Sequence, residues 1–189
     1  MNSRHIHTGC LDLIPATVEI LTSDLDDHAE LKRLLKATVP KTWPPGEMTR
    51  EVFCEFIRML SENSDPFFSD WYWVKDATDP EDRVLIGNGG IASAFNNPGT
   101  VMIGYSVLDP YQGQGYATEA VRHLIPAIFS DPRISRIMAT TFPELEASRR
   151  VLEKTGFLCT GATPPGQGLE EGTLQYVLER SRTVGSSGA

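Results

Sequence analysis

The sequence lacks any long apolar run. No stretch approaches the ~20 consecutive apolar residues that a membrane-spanning helix requires, and residues 1–10 are polar, without the apolar centre of a signal peptide. We therefore expect a cytoplasmic protein with no membrane partner.

Basic residues are also scarce. Lysine and arginine total 17 against 25 aspartates and glutamates, which gives a net charge of -8, and no segment concentrates positive charge. Because a phosphate backbone is bound through such positive charge, we expect no nucleic-acid partner. An acidic surface attracts cations, which mildly favours amine substrates, although most acidic proteins are merely soluble ones.

Cysteine is sparse as well. The chain has only Cys10, Cys54 and Cys159, an odd number and far apart, without the close pairs of a zinc site or the density of a disulfide framework. The four histidines show no metal-ligand spacing beyond the terminal pair His5 and His7. We expect reduced thiols and no metal.

The remaining composition is that of one soluble domain. Apolar residues make up 40% and charged residues 22% of the chain, ordinary values for a protein that buries a core. We predict a single domain over 11–180, with flexible segments at 1–10 and at 181–189, where serine and glycine accumulate. The sequence leaves both a monomer and a homodimer open.

Hydrophobic periodicity predicts a mixed α+β fold. The predicted strands are 17–21, 71–74, 84–92, 100–107, 134–140 and 174–178. The predicted helices are one after a capping-box pattern at Ser23, one after Thr49, one that starts at Ala117 and contains Pro126, and one over 143–155. The three strands between 71 and 107 should form an antiparallel meander, and the later strand and helix alternation predicts a mixed sheet with helices on its faces.

The segment between the third strand of that meander and Ala117 carries the clearest functional signal. Gly113 and Gly115 allow the backbone to curl closely around a ligand. The following helix begins with N–H groups that lack intrahelical partners and carry partial positive charge, which favours an anion such as a pyrophosphate. A Gly-x-Gly pair alone is often just a turn. A dinucleotide fingerprint would need a third glycine where Thr118 stands, and a P-loop would need Gly-Lys-Ser/Thr.

These residues resemble the GNAT superfamily of N-acetyltransferases, and within it the RimJ/RimL-like branch. The superfamily's cofactor loop has Gln or Arg, two residues, Gly, one residue, then Gly or Ala, which corresponds here to Gln112, Gly115 and Ala117. The strings Ile-Gly-Tyr-Ser-Val at 103–107 and Gly-Tyr-Ala-Thr-Glu-Ala at 115–120 resemble the branch, as does the segment 147–157. The resemblance follows the order of elements over roughly 11–180 and is sharp over 101–158.

The resemblance implies a central mixed, mostly antiparallel sheet with helices on both faces and a V-shaped gap between two splayed strands. It also implies that acetyl-CoA is the co-substrate, without a metal, and that its pantetheine arm lies in that gap. The residues implied for cofactor binding, largely through their main chain, are Val107, Leu108, Gln112, Gly113, Gln114, Gly115, Tyr116, Ala117, Thr118 and Ser148.

The resemblance also gives catalytic expectations, together with two departures. Ser148 stands where relatives place a serine near the cofactor sulfur and is a possible general acid. Met102 occupies the position at which the family often has a glutamate base, and Leu145 replaces a common asparagine. Three explanations remain open: a base from elsewhere, such as Glu144 or Glu146, a water chain to a distant carboxylate, or an acceptor that needs little deprotonation. Acidic residues in a first helical turn also complement the helix dipole without touching substrate.

Aromatic residues are candidates for the acceptor pocket. Tyr105 shares a strand face with apolar residues, so core packing is its more ordinary use. Trp43, in a proline-rich loop, and the strand residues Trp71 and Trp73 could wall the pocket or simply fill the core.

The leading hypothesis is an N-acetyltransferase that moves an acetyl group from acetyl-CoA to a primary amine by direct attack. The acceptor would be a protein N-terminal α-amine, a peptide or a small molecule. A catalytically weak or inactive acetyl-CoA-binding module and a dinucleotide-binding domain are the alternatives. The sequence does not identify the acceptor or show whether other acyl groups are used.

Overall fold

A computed structural model describes residues 5–46, 48–94, 97–163 and 171–180. The segment 181–189, expected to be a flexible tail, lies outside the described residues, as do residues 1–4 of the predicted flexible start. Within that start, residues 6 and 7 form a short strand.

In the described part of the chain, eight strands form one sheet. They are β1 (Ile6–His7), β2 (Leu11–Pro15), β3 (Ser69–Lys75), β4 (Val84–Ser93), β5 (Thr100–Val107), β6 (Arg136–Thr141), β7 (Leu158–Ala162) and β8 (Leu174–Glu179). Their order across the sheet is β1-β2-β3-β4-β5-β6-β8-β7. The pair β5–β6 is parallel and the other neighbouring pairs are antiparallel. The predicted mixed, mostly antiparallel sheet is confirmed.

Among the described residues, five α-helices cover both faces of this sheet. They are α1 (Val18–Asp26), α2 (His28–Leu35), α3 (Arg50–Glu62), α4 (Tyr116–Ile128) and α5 (Glu146–Lys154). The core beneath α4 and α5 contains Trp71, Trp73 and Val121. The core beneath α1, α2 and α3 contains Trp43 and Tyr72. Because side chains alternate along a strand, consecutive residues of β3 enter opposite cores.

The strand predicted at 17–21 is wrong, because this segment belongs mainly to α1. Thr17 caps the helix by accepting a hydrogen bond from Ile20 N at 3.1 Å. Asp27 then caps α2 through the N–H groups of Ala29 and Glu30, so the single helix expected here is two. Local capping bonds satisfy N–H groups at a helix start, and they outweigh the two-residue alternation of Val18 and Ile20.

The splayed pair of strands is present. Strands β5 and β6 pair only from Thr100 to Met102, opposite Arg136 to Met138. Beyond this point β6 continues to pair with β8 through Thr141, whereas β5 continues to pair with β4 through Val107. A gap therefore opens in the middle of the sheet, starting one residue after Met102.

Candidate active site

The loop after β5 has the tight backbone that its glycines predict. A 3₁₀ turn over Asp109–Tyr111 follows the strand, and α4 begins at Tyr116. Gly113 has φ 72° and Gly115 has φ 92°, left-handed conformations that favour glycine. Among the described residues, no atom lies within 4 Å of the place where a Cβ would stand on either glycine. The loop is thus tightly turned and open on its outer side.

The start of α4 presents peptide N–H groups to this open side. Gly115 is the N-cap and makes no side-chain capping bond. Glu119 N is the first amide to reach back into the helix, to Gly115 O at 3.0 Å. Helix geometry therefore leaves the N–H groups of Tyr116, Ala117 and Thr118 without intrahelical acceptors, which is the arrangement that binds anions.

Two glutamine side chains brace the loop from within. Gln112 Nε2 donates to Val107 O at 2.9 Å and to Asp109 Oδ1 at 3.0 Å. Gln114 Nε2 donates to Pro110 O at 2.9 Å. The glutamine in the family's loop pattern therefore fixes the shape of the loop here. The carbonyl oxygen of Val107 accepts this hydrogen bond from Gln112, so it already has a donor within the protein.

A cavity of about 400 Å³ lies between this loop and α5. The predicted residues that line it are Tyr105, Val107, Gln112, Gly113, Gly115, Tyr116, Ala117, Thr118 and Ser148. Arg150 and Lys154 also line it, and their cationic groups complement the helix N-terminus in attracting a diphosphate. Neither residue was predicted as a site residue, although two cationic side chains four positions apart on the helix that carries Ser148 are a signal visible in the sequence.

Ser148 and Tyr105 meet inside the cavity. The Tyr105 hydroxyl lies 3.4 Å from Ser148 Oγ and 3.3 Å from the Ser148 carbonyl oxygen, and its ring stacks on Trp73 with centroids 6.2 Å apart. Burial raises the pKa of Tyr105 to about 12, against a smaller lowering by the hydrogen bond with Ser148. Tyr105 therefore carries its proton at neutral pH and is a fixed hydrogen-bond donor in the cavity.

Other predicted site residues do not line this cavity. Leu108 is buried and its N–H donates to Ile86 O at 2.8 Å, so that N–H is not free for a cofactor. Gln114 turns back to the loop, as described above. Glu144 is exposed, on the turn before α5. Trp71 is only 1% exposed and belongs to the core beneath α4.

Trp43 is part of a polar cluster on the opposite face of the sheet. Its Nε1 donates to Asp24 Oδ1 at 2.7 Å, and Tyr72 Oη donates to Asp24 Oδ2, also at 2.7 Å. Trp43 is 4% and Asp24 is 3% exposed. Trp43 therefore plugs the core on the α1 side, and it holds a buried carboxylate that periodicity alone could not identify.

A second cluster lies far along the sheet, at β1 and β2. His5 Nε2 and His7 Nδ1 contact Asp12 Oδ1 at 3.1 and 3.2 Å. Each of the three residues offers an atom that could ligate a metal ion, and these atoms lie within 4.8 Å of one another. Arg83 pairs with the other carboxylate oxygen of Asp12 at 2.5 Å. The buried carboxylate of Asp12 therefore has polar side chains on both sides, two histidines at the start of the chain and Arg83.

A search of the described helices for a membrane-crossing segment finds none that is both long and apolar enough.

Known proteins share this sequence pattern and this fold. The sequence model of the acetyltransferase (GNAT) domain matches residues 18–158. The chain is 27% identical over 134 residues to the uncharacterized N-acetyltransferase YjdG of Bacillus subtilis, covering 70% of this chain and 76% of that protein. It is 26% identical over 159 residues to an aminoglycoside N(6')-acetyltransferase type 1 of Klebsiella pneumoniae, covering 78% and 70%. The solved RimL ribosomal L7/L12 α-N-protein acetyltransferase with coenzyme A superposes with a TM-score of 0.63 at 17% identity, covering 93% and 98%.

Proposed function

The chain belongs to the GNAT acetyltransferase family, since the family's domain spans most of it, and from that premise we propose the following reaction. The enzyme transfers an acetyl group from acetyl-CoA to a primary amine by direct attack of the amine on the thioester. The acceptor is a protein N-terminal α-amine or the amine of a small molecule, and the site is of the RimJ/RimL-like type.

One observation carries this proposal: the cavity between the glycine loop and α5. The amides at the start of α4 point toward it, and Arg150 and Lys154 stand on its other side. A diphosphate placed there meets donors and positive charge from two directions. The cavity also reaches Tyr105 on β5 and Ser148 on α5, next to the gap between the splayed strands. Coenzyme A has this combination of an anionic end and a long thiol arm.

The same cavity suits the departing thiolate. As the carbon–sulfur bond breaks, negative charge develops on the sulfur, and hydrogen-bond donors aimed at it lower the barrier. Tyr105 and Ser148 present two such donors. With a pKa raised to about 12, Tyr105 is a weaker acid than an ordinary thiol of pKa about 8.5. We therefore assign Tyr105 the stabilisation of the thiolate by a hydrogen bond rather than its full protonation.

An amine acceptor agrees with the charge of the protein and with its relatives. The net charge of -8 attracts cationic amines. One relative is named for acetylation of aminoglycosides, and the RimL structure for acetylation of a ribosomal protein at its α-amine. Both kinds of acceptor are primary amines, and they define the range in which the substrate of this chain should be sought.

Thiol release tests the proposal directly. We expect free coenzyme A to appear when the purified protein meets acetyl-CoA and at least one member of an amine panel made of N-terminal peptides, lysine peptides, polyamines and aminoglycosides. Mass spectrometry should show the acceptor heavier by one acetyl group. Calorimetry measures the binding of coenzyme A to the same protein in parallel. Coenzyme A binding without thiol release for any amine would instead select the catalytically inactive binding module, which Met102 and Leu145 motivate.

Tyr105→Phe and Ser148→Ala should each lower kcat by about tenfold, because each removes one of two hydrogen-bond donors from the developing thiolate and leaves the other in place. The dissociation constant of coenzyme A should change by no more than about twofold, since the phosphate contacts remain. Ser61→Ala is the matched control: Ser61 is an exposed helical serine that bonds Ile57 O at 2.7 Å. If the variants bind coenzyme A more weakly but keep the wild-type kcat, Tyr105 and Ser148 only shape the cavity.

A further inference from the structure

A carboxylate that no assigned role uses lies beneath α1, on the face of the sheet opposite Tyr105 and Ser148. Asp70 is at the start of β3 and only 3% exposed. Its Oδ2 has no hydrogen-bond partner among the described residues. An unpaired buried carboxylate oxygen is costly, so it calls for a ligand that supplies a donor.

A second unpaired acceptor stands beside it. Asn88 on β4 is 5% exposed, its Oδ1 also lacks a partner within the described part of the chain, and its side-chain amide interacts with Asp70. Asn88 Nδ2 lies 3.4 Å from the thioether sulfur of Met48. Two neighbouring acceptors without donors match a primary ammonium group, which has three donors and no acceptor.

Two glycines mark the shortest path along the sheet from Asp70 to the gap between β5 and β6. Asp70 is directly opposite Gly90 on β4, and Gly90 is directly opposite Gly104 on β5. Residues opposite each other in a sheet share a face, so these three positions form one row. The Asp70 Oδ1 lies 2.7 Å from where a Cβ on Gly90 would stand, which shows that the carboxyl group leans over Gly90.

The row ends at open space. No described atom lies within 4 Å of the Cβ position of Gly104, and Gly104 is exposed although it lies in a central strand. It is two residues past the last pair that joins β5 to β6. With neighbouring strands about 4.8 Å apart, the carboxyl group above Gly90 is roughly one strand spacing from the edge at which the thioester would enter. A side chain at either glycine would block this path.

The surrounding charges favour a carboxylate that changes its protonation near neutral pH. Asp24 on α1 faces Asp70 and is itself bonded to Trp43 and Tyr72, with His28 Nε2 at 3.4 Å from Asp24. Burial raises the pKa of Asp70 to about 7, the N–H of Trp71 and the amide of Asn88 lower it, and the charge of Asp24 raises it. A base works best when its pKa is near the working pH.

We propose that Asp70 is the catalytic base that deprotonates the acceptor amine, with Asn88 as the group that orients this amine. The assignment rests on the proposed acetyl transfer. It supplies the base that Met102, at the family's usual glutamate position, does not. The amine approaches on the α1 side of the sheet, while the coenzyme lies on the α5 side and its thioester enters the gap between them.

In the proposed step, the ammonium gives one proton to Asp70 Oδ2, and the neutral amine nitrogen attacks the thioester carbonyl carbon. The carbon–nitrogen bond forms, the carbon–sulfur bond breaks, and the thiolate leaves with the bonding electron pair. The second proton of the nitrogen goes to the thiolate, which yields the amide, coenzyme A and a protonated Asp70 that returns its proton to water. Met48, a flexible side chain that contacts Asn88, has to shift to admit the amine.

Asp70→Asn is the test, because it keeps the shape of the side chain and removes the base. With an amine that the wild type acetylates, we expect kcat/KM at pH 7 to fall about 100-fold, and coenzyme A affinity to stay within twofold. The wild-type rate should rise with pH through about 7, whereas the variant should follow the ionisation of the amine alone, so that its defect shrinks as pH rises. Asp76→Asn is the control and should match the wild type, since Asp76 is an exposed residue that directly follows the same strand.

Gly104→Val is a second variant that leaves Asp70 intact. It adds a side chain where the structure has room and should raise the KM of the amine at least tenfold by closing the path. A wild type inert toward every amine would refute both the proposed function and this assignment. An active wild type whose Asp70→Asn variant keeps its rate and pH profile would refute the Asp70 assignment alone and leave the proposed function standing.

Discussion

Gly115→Val is expected to weaken coenzyme A binding at least 100-fold. Gly115 has φ 92° at the N-cap of α4, a conformation in which a β-branched residue is strongly strained. The strain, on the order of 1–3 kcal/mol, is relieved if the loop leaves this conformation. The N–H groups of Tyr116, Ala117 and Thr118 then no longer converge on the diphosphate. A 100-fold loss corresponds to about 2.7 kcal/mol of binding free energy, and calorimetry with coenzyme A measures it.

The control separates the loss of the site from general backbone strain. Gly161 in β7 has φ 114°, and no described atom lies within 4 Å of its Cβ position, so Gly161→Val introduces a comparable strain away from the cavity. We expect it to cost stability and to leave the dissociation constant of coenzyme A within twofold of the wild type. If Gly115→Val binds coenzyme A as tightly as Gly161→Val does, the loop is not the diphosphate site.

The loop is predictable because its signals are local. The glycines, the change from a strand to an amphipathic helix and the family pattern all lie within a dozen residues, and the structure brings nearly all of the predicted loop residues to one cavity. Local signals also gave a wrong prediction at 17–21. Val18 and Ile20 alternate as in a strand, yet the Thr17 cap commits the segment to a helix. Strand β7 escaped prediction because it is an exposed edge strand whose residues show no alternation of burial.

The sequence could not predict the row that joins Asp70 to the gap, because this row depends on how three strands pair in the sheet. Asp70, Gly90 and Gly104 are 20 and 14 positions apart by their numbering, and nothing in their neighbours marks them. Strand pairing places them in one row, and a slip of one residue would turn Asp70 to the other face. Met102 indicated that the usual base was missing, but only the strand register brings the proposed base, Asp70, into one row with the gap.

In the proposed reaction, the two faces of the sheet have different tasks. Trp73 and Tyr105 stack on the face proposed for the coenzyme, where Ser148 lies. Asp24, Tyr72 and Trp43 form a hydrogen-bonded support on the other side. The gap between β5 and β6 is the place where the two sides meet. This separation keeps the proposed base for the amine apart from the donors for the thiolate, so that the two proton transfers do not compete for one group.

The stability of Asp70→Asn should rise relative to the wild type as pH increases. The pKa of Asp70 is about 7 in the folded protein and about 3.9 in an unfolded chain. Between these values the folded state binds a proton that the unfolded state has released. The wild type therefore loses stability as pH rises through this range, whereas asparagine has no proton to lose. The difference in unfolding free energy between variant and wild type should grow by roughly 2–3 kcal/mol from pH 5 to pH 8.

Urea unfolding at several pH values measures this difference and needs neither cofactor nor acceptor. The contributions of other titrating groups to the unfolding free energy cancel when the two proteins are compared. The exception is a group whose charge interacts with Asp70, such as Asp24. Thr100→Val changes a buried polar side chain that cannot titrate, so its difference from the wild type should stay level over the same range. A level difference for Asp70→Asn as well would mean that the carboxylate keeps its ordinary acidity in the fold. It would then be a much weaker proton acceptor at neutral pH than the base proposed for the amine.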